Sequence, residues 1–338
     1  MTESFLSLSD SDRTEALQVA ASRSGRPLHI LEKDVWVVWS LSALFESPFG
    51  THLVFKGGTS LSKAYKAIER FSEDVDVTYD IRALAEDLVR EAGDEPLPNS
   101  KTQGKKWSDT IRERLPTWLH EVVLPHLRQR FEALHLDGTV RVESDCIFID
   151  YPARTDGYGY VPPRVKIEFG ARSTGEPAEE RTVSCDAAEQ VTAVSFPVAT
   201  PRVMRVERTI WEKMTAIHVF CTQGKIKDRQ ARHWYDIAKL DTSGYVDVAL
   251  KDRNVAQRVA KHKAWFFAAK DHEGKPIDYE RAISGGLVLV PVTAEVLNTL
   301  KADYEQMITD RLFLGEPESL DWVIDRCKTI ETKANALS

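Results

Sequence analysis

The chain has 338 residues, 42% of them hydrophobic and 29% charged, with a net charge of −7. It is long enough for one large or two ordinary domains and rich enough in apolar residues to bury a core, which excludes a disordered chain. The negative balance excludes a protein that coats nucleic acid through bulk charge, although a local basic patch is sufficient for phosphate contacts. No apolar run reaches the length of a membrane span. The polar start Met1-Thr2-Glu3-Ser4 lacks the basic and apolar regions of a signal peptide. The four cysteines, Cys146, Cys185, Cys221 and Cys327, form no CxxC pair, so they read as reduced structural thiols of a cytoplasmic protein.

In chain order, Ser9-Asp10-Ser11 caps a first helix through Ala16, Val19 and Ala20. Ile30 to Phe45 is a second, strongly apolar helix, ended by Pro48 and Gly50. His52 to Lys56 is a short strand, and Gly57-Gly58 allows a tight turn. Ser60 to Ile68 then has the spacing of a helix. Val75, Val77 and Tyr79 alternate with Asp74, Asp76 and Thr78, as in a half-buried strand. Arg70, Ser72, Asp74 and Asp76 share the same alternation, which would place all four on one side of that strand and its lead-in. Helical patterning continues from Arg82 to about Leu136, interrupted between Gly93 and Gly104. After the turn at Asp137-Gly138 come strands around Val140 and Val142 and around Ile147 to Ile149. A Gly/Tyr/Pro loop, Thr155 to Pro163, leads into the strand Arg164 to Gly170. Residues 191–206 are extended and contain Pro197 and Pro201. A long amphipathic helix begins near Glu207, and the remainder is mostly helical apart from a strand-like interruption at Gly286 to Val292. The fold class is α+β: a mixed α/β domain over residues 1–206 and a mostly helical domain over 207–338.

Two aspartates one residue apart on a strand point to the same side. They repel unless one is protonated or a cation lies between them. Mg²⁺ suits oxygen ligands and brings phosphates with it. The turn Gly57-Gly58-Thr59-Ser60 joins a strand to a helix start, where free N–H groups and two hydroxyls offer an anion site. It is not a Walker A loop, and a plain connection would look the same. An exposed strand face is the alternative for Asp74 and Asp76. Glu168 lies on a strand of the same logic and becomes a third metal carboxylate if the two strands are neighbours; pairing with Lys166 or Arg164 is its alternative. Lys213 falls on the apolar stripe Ile210, Met214, Ile217, where it either snorkels outward or meets an anion. Asp236 shares a face with His233, Ile237 and Leu240 and needs a partner; Lys213, Arg232 or a helix-start N–H are candidates. Two basic runs, Lys225/Lys227/Arg229/Arg232 and Lys101/Lys105/Lys106/Arg112/Arg114, are either phosphate contacts or solvated surface.

The ordered blocks Glu32-Lys33-Asp34, Gly57 to Lys63 (GGTSLSK), Arg70 to Asp76 (RFSEDVD), Glu207 to His218 (ERTIWEKMTAIH) and Arg232 to Leu240 (RHWYDIAKL) resemble the AbiEii/AbiGii toxin family over roughly residues 30 to 245. The resemblance implies a nucleotidyltransferase fold of the DNA polymerase β type and the toxin role of a toxin–antitoxin or abortive-infection pair. It implies Mg²⁺, two ions, and an NTP as substrate, with NMP transferred to an RNA, tRNA in some relatives. Gly57, Gly58, Thr59, Ser60, Lys63 and Ser72 would hold the triphosphate, and Asp74 and Asp76 the metal. Lys213 would neutralise phosphate and Asp236 complete the last motif, both contributing to the cleft. The partner implied is a winged-helix, DNA-binding antitoxin encoded upstream. A nucleotide-binding module that acts by sequestering a partner is the competing function.

Overall fold

The computed structural model describes residues 3–72, 74–154 and 161–337. Most of the expected loop Thr155 to Pro163 lies outside them, as does Glu73 of the RFSEDVD block. The chain divides into two compact units: Met1–Ala64, Phe71–Pro96 and Lys106–Met204 form the first, and Tyr65–Arg70, Leu97–Lys105 and Arg205–Ser338 the second.

The first unit is built on a mixed seven-stranded sheet. Its strands are β1 (Leu53–Lys56), β2 (Asp74–Tyr79), β3 (Thr139–Glu143), β4 (Cys146–Asp150), β5 (Arg164–Gly170), β6 (Ala178–Glu180) and β7 (Arg202–Met204), in the order β3-β4-β5-β2-β1-β7-β6. The central strand β2 runs antiparallel to β1 and parallel to β5. The alternation read from the sequence decides which face is buried. Leu53, Phe55, Val75, Val77, Val165 and Ile167 have no exposure, while Asp74, Asp76, Lys166 and Glu168 project to the other side. Helix α1 (Asp10–Ser24) starts where expected, the Ser9 hydroxyl accepting from the Asp12 N–H at 3.2 Å. Helix α2 (Leu28–Phe45) is buried on almost every side, as its continuous apolar run demands. Trp36 stacks on Phe131 and Tyr151, with ring centroids 5.7 and 5.0 Å apart. Helices α3 (Lys101–Trp118) and α4 (Leu124–Ala133) follow, α3 starting before Gly104 rather than after it. The helix expected over Ser60 to Ile68 ends at Ala64, because Lys66 takes a left-handed conformation with φ 50°.

The second unit is helical: α5 (Val206–Gln223), α6 (Ala231–Thr242), α7 (Tyr245–Lys251), α8 (Arg253–Phe266), α9 (Ala294–Thr309) and α10 (Leu320–Asn335). Trp211, Trp234, Tyr235 and Tyr304 fill its core, and the indoles spend their N–H groups on the carbonyls of Ala249 and Leu289. Residues 286–292 belong to no strand. Side chains take the place of a sheet ladder here. Glu331 accepts from the N–H groups of Leu289 and Val290, Asn335 brackets Leu287 through both its N–H and its carbonyl, and His218 accepts from Val288 N at 3.1 Å. An apolar run reads as a strand either way, since periodicity does not report who satisfies its amides.

His218 is buried, and burial pushes its imidazole down to about 4. Its Nδ1 must stay unprotonated to accept from Val288. The unfolded chain, with a histidine near 6.5, binds the extra proton first, so this contribution is complete above about pH 6.5 and is lost as the pH falls towards 4. Urea unfolding of the wild type and of His218→Asn, which keeps an acceptor that does not titrate, should therefore converge. Between pH 7.5 and 4.5 the wild type should lose roughly 2 kcal/mol more than the variant.

Candidate active site

In the first unit, β1 ends in a turn at Gly57, which has φ 80°. A Cβ at this position would lie 2.1 Å from Oδ2 of Asp76. Two independent constraints thus require glycine: the backbone angle, and the carboxylate lying against the turn. The register that creates this contact pairs Lys56 with Asp76 across β1 and β2. Asp74 and Asp76 are both half-buried on the same face, so the turn and the two carboxylates share one place.

The hydroxyls of the turn have other duties. Thr59, almost fully buried, reaches the carbonyls of Ser72, at 3.2 Å, and Asp74. Ser60, with no exposure, donates to the carbonyl of Gly57 at 2.9 Å. Thr59 thus pins the lead-in of β2 to the turn, while Ser60 closes the turn on itself. Lys63 is likewise engaged. Its Nζ lies 2.6 Å from Asp34 and 2.7 Å from Asp186, the Asp186 N–H donates to Asp34 at 2.7 Å, and Arg26 pairs with Asp186. Two cations and two carboxylates make a closed set; burial pushes the Asp34 carboxyl up, and Lys63 opposes that. Sequence reasoning missed Asp34 as the anchor of this set. The signal was present in three consecutive charges, Glu32-Lys33-Asp34, on an otherwise apolar helix.

Strands β2 and β5 are neighbours, in the register Asp74 to Lys166 and Asp76 to Glu168. Glu168 is therefore beside Asp76, but its Oε2 takes the ammonium of Lys166 at 2.7 Å. Burial works against the charge on Lys166; Glu168 and Asp74 outweigh it and raise its pKa. Among the described residues no cluster of three or more His, Cys, Asp or Glu side chains could hold a metal ion. Mg²⁺ asks for less, since it commonly takes one or two carboxylates and completes its shell with water and substrate phosphates. Asp74 and Asp76 fit that requirement: hard oxygen donors on one face, against a glycine turn.

In the second unit, Asp236 on α6 has no exposure and meets two cations. Lys213 on α5 lies 2.9 Å from its Oδ2, and Arg70 grips it with Nε at 2.6 Å and a terminal nitrogen at 2.7 Å. Burial opposes the charge of Asp236, but Arg70 and Lys213 prevail and hold the carboxyl well below the usual range. Burial also lowers Lys213, partly offset by Asp236. Burial, together with Lys213 and Arg232, keeps neighbouring His233 neutral. One buried carboxylate is thus shared by two buried cations. Lys213 was among the expected partners of Asp236, whereas Arg70 was placed on the strand with Asp74. That placement is corrected here: β2 begins at Asp74, and Arg70 forms a bridge with Phe313 instead. Of the basic runs, Arg112 and Arg114 pair with Asp109 and Asp87, while Lys225 and Lys227 are exposed beyond α5.

Residues 39–326 match the model of a family described as the nucleotidyl transferase AbiEii toxin of type IV toxin–antitoxin systems. The chain belongs to this family: it is a nucleotidyltransferase toxin of the type IV class. Among solved structures it is similar to MenT4, a nucleotidyltransferase toxin from Mycobacterium tuberculosis H37Rv, with 16% identity and a TM-score of 0.38 over 95% of this chain and 98% of that one. Comparison with curated protein sequences gives no match. Among the described residues no helix is long and apolar enough to cross a membrane.

Replacing Asp236 with Asn would leave Arg70 and Lys213 buried beside a neutral amide. Breaking such a set from one side typically costs about 3–5 kcal/mol. Guanidinium unfolding of Asp236→Asn should show a loss of this order, and Lys213→Met in the same background should recover part of it.

Proposed function

We propose that this toxin transfers a nucleoside monophosphate from an NTP to the 3′ end of an RNA acceptor, tRNA, with two Mg²⁺ ions. The modification would arrest growth, or abort phage infection, until a cognate antitoxin of the winged-helix DNA-binding kind neutralises it. The reading places the protein in the cytoplasm, where NTP and tRNA are. The observation that carries it is the contact of the Asp76 carboxylate with the Gly57 turn, with Asp74 on the same face.

When bound, Mg²⁺ would activate the attacking RNA hydroxyl and neutralise charge on the phosphates. The residues that hold it are Asp74 and Asp76, with Glu168 in register as a further carboxylate. The backbone of Gly57 and Gly58 and the side chain of Ser72 receive the triphosphate. Thr59 and Ser60 act one step back by fixing the turn through their carbonyl contacts. Lys63 supports the turn through Asp34 and Asp186. Lys213 supplies positive charge for the leaving pyrophosphate, and Asp236 with Arg70 sets its orientation. Lys225 and Lys227 offer contacts to the acceptor's phosphates.

The test is incubation with labelled NTPs, Mg²⁺ and total RNA. Label should appear at RNA 3′ ends, and Asp76→Asn should remain folded yet lose on the order of 10²-fold or more in rate. Absence of labelled product with every nucleotide, while a control transferase labels the same RNA, would contradict the proposal.

A further inference from the structure

The open face of the sheet carries a two-by-two patch. On β2 stand Asp74 and Asp76; on the parallel strand β5, paired with them in register, stand Lys166 and Glu168. Three carboxylates and one ammonium thus share the face that the proposed function gives to the divalent ion. Lys166 is beside Asp74, but its ammonium leans along its own strand to reach Glu168 at 2.7 Å. Glu168 therefore does not converge with the two aspartates, in keeping with the lack of a three-carboxylate cluster among the described residues. The pair is partly exposed, with 34% of the Lys166 side chain and 48% of the Glu168 side chain accessible. Ion pairs of that exposure are weak and open readily. On the far side of Glu168, Cys146 of β4 is its partner in register.

We infer that Lys166 is a resident counter-cation of the metal site: it occupies Glu168 until a divalent ion draws that carboxylate towards Asp74 and Asp76, and so it sets how tightly the metal is held. This rests on the reading that Asp74 and Asp76 hold the ion. Metal loading is then a competition. The entering dication must break the bond of Lys166 to Glu168 before the third carboxylate is available. Lys166 acts through Glu168 and is a positioning residue.

The test uses the full chain and Mn²⁺ alone, with free ion measured by electron paramagnetic resonance, so that no turnover is needed. Lys166→Met keeps the stem and removes the charge. It should bind Mn²⁺ roughly fivefold more tightly, the factor equivalent to about 1 kcal/mol for a partly exposed pair. The gain should vanish in Lys166→Met/Glu168→Gln. Unchanged affinity in Lys166→Met, or a gain that persists in the double variant, overturns the inference; persistence would mean that Lys166 acts only by general repulsion. Mn²⁺ binding that is absent in the wild type, or that survives Asp74→Asn/Asp76→Asn, overturns instead the metal reading on which the inference stands.

Discussion

The carboxylate of Asp76 occupies the space that a side chain at residue 57 would need. Much of the first unit follows from that contact. It leaves no room for a side chain at a position where the left-handed backbone already favours glycine, and it depends on the register that pairs Lys56 with Asp76 and on a β2 whose alternate residues are apolar enough to hold it in the sheet. Val75 and Val77 supply the last requirement. Each, buried without exposure, contributes about 1.5–3 kcal/mol of transfer free energy, which holds the strand while two like charges are kept on its other face. Two carboxylates held on one face in this way suit a hard cation.

Both units manage buried charge in the same way. Asp34, Lys63, Asp186 and Arg26 close a neutral set around the glycine turn. Asp236, Arg70 and Lys213 form a second set, in which one carboxylate is shared by two cations. Such networks contribute modest net stability, and removing the shared carboxylate of Asp236 deprives both of its cations of that counter-charge.

The parts of the fold legible in the sequence were those governed by short-range periodicity. The alternation in Asp74 to Tyr79 and in Arg164 to Gly170, the cap at Ser9 and the apolar run of α2 each follow from the residues themselves. Asp74 and Asp76 were legible for the same reason. The partner of Asp236 was only half legible. Lys213 was within reach of a helical-face argument, but Arg70 is 166 residues away in sequence and its alternation with Asp74 pointed to the wrong strand. Lys63 was assigned to the triphosphate through the family resemblance, and only the fold brings Asp34 and Asp186 to it. The apolar run at 286–292 was indistinguishable from a strand, since its amide partners are the side chains of Glu331, Asn335 and His218 rather than a neighbouring backbone.

The central claim is that the Gly57 turn and the carboxylates of β2 together form the site for metal and triphosphate. Anomalous diffraction from crystals grown with Mn²⁺ and a non-hydrolysable NTP analogue tests it most directly. The account predicts a manganese peak ligated by both Asp74 and Asp76, with the triphosphate against the backbone of Gly57 and Gly58. Manganese and triphosphate bound elsewhere, with those two carboxylates unligated, would contradict it.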